Sequence, residues 1–111
     1  MSNGTRATLD RKIQERFDSI LILGSMVEQA ITGSVQALND RDLDSAREIY
    51  DNDRNINNKR YEIEEQTLTT VATQQPMARD LRMLSSILDI AGELERIGDY
   101  AKGIARITIR L

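Results

Sequence analysis

The chain has 111 residues, 40% of them hydrophobic and 30% charged, enough for one hydrophobic core and too little for two. With 0 Cys and 0 His, disulfides, thiolate or imidazole metal sites and His-based catalytic triads are excluded, so a bound metal has to be held by oxygen. The net charge of -3 argues against a general affinity for nucleic acid, which needs a basic face to release counterions.

Only 6 Gly and 1 Pro interrupt a composition rich in helix formers, which predicts an all-α domain. The longest apolar run, Ile20 to Leu23, is far short of a membrane span, and the N-terminus lacks a signal-peptide core. A soluble, cytoplasmic protein is expected. Residues 1–7 are small and polar and read as a loose tail, with residues 8–111 forming a single domain and Thr8 the helix N-cap.

From Leu9 onward, apolar or small residues recur in steps of three and four at Ile13, Phe17, Ile20, Gly24, Val27, Ile31, Val35 and Leu38. This predicts a first amphipathic helix. Asn39-Asp40-Arg41-Asp42 is a turn signal, and Asp42 is a natural N-cap for the next helix. The second helix is expected over 43–73, with Leu43, Ala46, Ile49, Tyr50, Ile56, Ile63, Leu68 and Val71 on its inner arc. Pro76 cannot continue that helix but fits a helical first turn, so Gln74-Gln75-Pro76 is the joint to a third helix over 77–111. Short joints make neighbouring helices antiparallel, giving an elongated up-down-up three-helix bundle with helices of about 45 Å. The last residues, Ile109-Arg110-Leu111, lack a C-cap glycine and read as a helix cut short.

Acids interrupt the apolar arcs. On the second helix Asp53 lies at the centre of the arc, with Asn57, Arg60 and Glu64 completing a polar band. On the third, Glu95 falls inside the arc of Leu81, Leu84, Ile87, Leu88, Ala91 and Leu94, and Asp99, one turn on, sits at its edge. Measured from the Pro76 joint, Asp53 and Asn57 are level with Glu95 and Asp99, so the two pairs are positioned to share one site. Like charges so placed repel unless something positive binds them. Two readings follow: a hard or borderline cation such as iron, manganese or magnesium held by Asp53, Asn57, Glu95 and Asp99, with Glu28 as an additional ligand, or a metal-free network in which Arg60 neutralises the acids. A third bland option is that Asp99 merely snorkels to solvent. A carboxylate-bridged di-metal enzyme is disfavoured, because such sites complete their coordination with His.

The third helix also carries a seven-residue row of Met83, Ile90, Ile97, Ile104 and Leu111 on the flank away from Glu95. It is either the second edge of the monomer's core or the footing of another packing partner.

The segments QQPMARDLR and ELERIGDYAKGIA closely resemble the PhoU family of phosphate-signalling regulators. The likeness extends over LDRKIQERFDSILILGSMVEQAI and ALNDRDLDSAREIYDNDRNINN, so that residues 9–107 match in one register. It implies a three-helix repeat, of which the full family protein has two, packed as a pseudo-symmetric pair; this chain has one, so a homodimer or a fragment of a longer protein is expected. It implies E/D-x-x-x-D motifs that ligate metal, with Glu95 and Asp99 in the motif of the third helix and Asp53 opening that of the second. Asn57 departs from the pattern, since its amide oxygen can coordinate but brings no charge. The implied function is negative regulation by binding, coupling a phosphate-specific ABC transporter to a phosphate-sensing histidine kinase, with no turnover chemistry.

Overall fold

A computed structural model describes residues 2–111, with side-chain surroundings from Arg6 onward. Three helices follow one another: α1 (Ser2–Asp40), α2 (Leu43–Gln74) and α3 (Ala78–Arg110). Each packs against both others in an all-α bundle whose long axis is 61 Å and whose cross-section is 17 × 16 Å. The bundle exceeds the expected helix length because α1 begins at Ser2 rather than after residue 7. Thr8 is therefore an interior helical residue, not an N-cap. Met1 of the expected tail lies outside the described residues.

The joints are tighter than the sequence suggests. Asn39 and Asp40 remain helical, and α1 ends at Asp40, followed by Arg41 with a left-handed φ of 54°. The Asp42 N–H donates to Ala37 O at 2.9 Å and the Arg41 N–H to Leu38 O at 3.3 Å, the paired bonds of a Schellman ending with arginine where glycine is usual. Asp42 then caps α2 as expected, accepting from the Ser45 backbone N–H at 3.1 Å and from its hydroxyl at 2.8 Å. Gln75, at φ 46°, ends α2 in the same left-handed conformation. Pro76 precedes the N-cap, Met77, instead of entering the first turn of α3.

The core runs through Leu9, Ile13, Ile20, Leu23 and Val27 of α1, Ile56 and Ile63 of α2, and Leu84, Ile87, Ala91 and Ala101 of α3. Toward the α1–α2 joint it narrows to Ala37, Ala46 and Ala105. Several inner-arc expectations are corrected here. Val35, Leu43, Leu68 and Leu81 are exposed, and Val71 is at the edge of exposure. Ser34, Thr67, Thr70 and Thr108 are buried in their stead. A straight helix drifts against any fixed three-four repeat, so over thirty residues the inward face moves off the pattern. Small hydroxyl residues tolerate burial because each donates to its own helix: Thr67 to Ile63 O at 2.7 Å, Thr70 to Gln66 O at 3.0 Å, Ser34 to Ile31 O at 2.9 Å.

Close helix approach at mid-bundle depends on Gly98, where an added Cβ would lie 3.2 Å from Ile56 Cγ2 and 3.7 Å from Asp53 Oδ1. Its missing side chain lets α2 and α3 come together at the level of the acids.

Candidate functional site

Asp53 is 3% exposed and faces Gly98, where the sequence placed it, at the centre of the inner arc of α2. Asn57, one turn later, is half-buried and donates its amide to Asp53 Oδ2 at 3.3 Å. From α3, Lys102 Nζ stands 3.7 Å from the same Oδ2. Asp53 Oδ1 and Asn57 Oδ1 are both buried and have no hydrogen-bond partner. Burial pushes the Asp53 carboxyl above its usual range; Lys102 and the Asn57 amide oppose that shift, and the charges of Asp99 and Glu95 add to it.

One turn further along α2, Arg60 bridges the helices. Its Nη1 donates to Glu95 Oε2 at 2.6 Å, and its Nε lies 3.3 Å from Glu64 Oε2 on its own helix. The guanidinium also covers the Tyr61 ring at 5.4 Å, and Gly92 leaves room beneath Nη2, which an added Cβ would meet at 3.8 Å. Lys102 has an aromatic neighbour too, with Nζ 4.8 Å from the centroid of Tyr50.

The four sequence-predicted residues therefore divide. Asp53 and Asn57 touch, Glu95 belongs to Arg60, and Asp99 is exposed at the edge, acting on Asp53 through its charge. Glu28 is elsewhere: it is exposed on α1 and lines a shallow groove with Ser25, Gln29, Thr32 and Gly33. Among the described residues no three Asp or Glu side chains converge as a ready metal cage. In kind, the donors suit a hard cation, since two buried oxygens lack partners. In charge, Arg60 and Lys102 already face the acids, and an entering metal has to displace or push aside at least one of them.

Sequence reading missed Lys102, although a signal was present. It lies seven residues after Glu95, two helical turns along nearly the same face, and so points toward the same groove. It also missed a second buried acid. Asp80, 1% exposed at the start of α3, accepts from Arg6 of α1 through both oxygens at 2.9 and 3.0 Å, and from the Met77 N–H at 3.0 Å. Arg6 thus holds the Asp80 carboxyl below its usual range, with the Met77 N–H assisting. Its signal is an acid three residues after the N-cap, the reach-back half of a capping box.

The model of the PhoU domain family matches residues 20–108. The chain belongs to the PhoU family. It is 36% identical over 90 residues to the phosphate-specific transport system accessory protein PhoU of Escherichia coli K12, covering 81% of this chain and 37% of that protein. The PhoU homolog of Synechocystis is 31% identical over 111 residues, covering 100% of this chain and 50% of the relative. The homolog of a Burkholderia species is 33% identical, with 93% and 47% covered. This chain thus spans half or less of the length of these relatives.

The heptad row of α3 splits in this fold. Met83 and Ile104 are half-buried, whereas Ile90 and Ile97 are each 40% exposed and Leu111 is 75% exposed. Tyr100 and Ile107 extend that exposed flank, and Leu21 and Val35 are exposed on α1. No helix among the described residues is long and apolar enough to cross a membrane.

Proposed function

We propose that this chain is a regulatory adaptor of phosphate uptake and phosphate signalling, acting in the cytoplasm by binding proteins rather than by catalysis. The observation that carries the reading is the long bundle of the PhoU family with an apolar flank on α3, Ile90, Ile97, Tyr100, Ile107 and Leu111, left uncovered by its own two neighbours. A surface of this kind serves association. Its relatives bear the name of accessory proteins of a phosphate-specific transport system, which supports an ABC transporter of phosphate as one partner. A phosphate-sensing histidine kinase is the other, by resemblance. A second copy of the chain is proposed to cover the flank, because the relatives are about twice as long and one repeat alone leaves it bare.

Sedimentation of the wild type and of Ile97→Glu tests the association. The expected result is a dimer that the charge dissociates; a monomer at every concentration removes the homodimer. Restored repression of a phosphate-starvation reporter in cells lacking their own accessory protein tests the regulatory role, and unchanged reporter activity counts against it.

A hard cation, iron, manganese or magnesium, belongs to this reading, held by Asp53 and Asn57 with Glu95 and Asp99 swinging in. The two orphaned oxygens of Asp53 and Asn57 support it. A metal-free interaction module is the competing reading, favoured by the 2.6 Å bond of Arg60 to Glu95. Elemental analysis of purified, tag-free protein separates the two. Near-integral metal that is lost in Glu95→Ala/Asp99→Ala supports the site, and absence of metal after reconstitution leaves the module.

A further inference from the structure

We infer that the Lys102 ammonium is a tethered cation beside the buried Asp53 carboxylate, where it competes with a metal ion for that group. The inference rests on the proposed hard-cation reading of Asp53 and Asn57. The Asp53 side chain is 4% exposed and that of Lys102 is 32% exposed, and Lys102 lines a groove together with Asn57, so the lysine approaches the acid from the solvent side. At 3.7 Å from Oδ2 it attracts by charge without a direct hydrogen bond. Among the described residues, the ammonium has the Tyr50 ring at 4.8 Å as its other neighbour.

Arg60 is the contrasting case. Its planar guanidinium donates to Glu95 across the helices, lies within ion-pair distance of Glu64 and covers Tyr61, with Nε left without a hydrogen bond, whereas Lys102 carries a point charge on a flexible stem. Of the two cations at this level, Lys102 is the one that can leave at little structural cost. A metal approaching Asp53 Oδ1 and Asn57 Oδ1 meets its positive charge within a few ångströms, and repulsion at that distance in a partly buried groove weakens binding strongly. Removing the charge while keeping an unbranched apolar stem leaves the oxygens available.

The experiment is Mn2+ binding to the full chain, by calorimetry and by metal content after dialysis, in wild type, Lys102→Met and Lys102→Arg. Lys102→Met is expected to bind Mn2+ about tenfold or more tightly than wild type. Lys102→Arg keeps the charge and is expected to show no gain. Adding Asp53→Asn to Lys102→Met should abolish the increase. Thermal unfolding supplies a second readout: Mn2+ should raise the melting temperature of Lys102→Met more than that of wild type. Lys102→Gln, polar and of similar length, carries the same comparison if the methionine variant fails to fold. Equal affinities in wild type and Lys102→Met overturn the competition and leave the metal reading standing. No Mn2+ bound by any variant overturns both.

Discussion

Among the described residues two carboxylates are almost completely buried in this bundle, and they are treated in opposite ways. Asp80 at the α2–α3 joint has both oxygens engaged, by a two-pronged Arg6 from α1 and by the Met77 N–H. Asp53 at mid-bundle has one oxygen without a partner and the other shared between a 3.3 Å amide and an ammonium at 3.7 Å. Burial without full pairing is costly, and a fold keeps such a group where it serves something other than stability. Asp80 therefore reads as a clamp that ties the start of α1 to the start of α3, and Asp53 as the group on which the proposed cation site depends.

The strongest way to break that contrast is to remove each acid in turn. Asp80→Ala is expected to give the largest loss of stability, because it strands the Arg6 guanidinium and uncaps α3, while Asp53→Asn should stay within about 1 kcal/mol of wild type. Chemical denaturation of the two variants decides it, and equal losses would end the distinction. Next in size is Arg60→Met, which leaves Glu95 and Glu64 facing each other half-buried. A loss of about 1–2 kcal/mol is expected, discounted for their partial exposure.

Acid titration sharpens the same comparison through opposite signs. Asp80 titrates below its ordinary value of 3.8, so its contribution is full above that pH and is lost as pH falls through its folded value. Asp53 titrates above 3.8, so the folded state takes up its proton first, and the burden of its ionised form is relieved as pH falls through that raised value. Melting temperatures followed from pH 7 to pH 2 should show Asp53→Asn steepening the decline above pH 3.8 and Asp80→Asn flattening it below pH 3.8. The smallest effects lie away from both acids. Gly24→Ala has open space around the added methyl, and Arg41→Gly relieves a left-handed arginine, so each should stabilise by about 0.5–1 kcal/mol. A loss in either would mean that the helix face or the joint has a partner of its own.

Much of this was legible beforehand for physical reasons. The three helices, the Asp42 cap and the burial of Asp53 follow from periodicity and local hydrogen bonding, both properties of short stretches of chain. The level pairing of Asp53 with the Glu95 region followed from helix rise and an antiparallel joint. What failed did so where distant segments decide. Residues 2–7 looked too polar to continue a helix, yet the helix runs through them and Arg6 finds Asp80 seventy-four residues away in both its oxygens. Leu68 and Leu81 looked like core and stayed outside, because helix drift turned Thr67 and Asp80 inward.

By itself, then, the sequence determined the absence of thiol and imidazole ligands, a three-helix bundle, the Asp42 cap and the inward placement of Asp53, since composition and spacing act locally. Only the tertiary structure decided which cation each acid meets. Arg60 and Lys102 are both within reach on their helices, but whether a charge is fixed or displaceable depends on how many groups surround it. That number is set by packing between helices: a guanidinium held by two acids and a ring on one level, and an ammonium held by one carboxylate and a ring on the next.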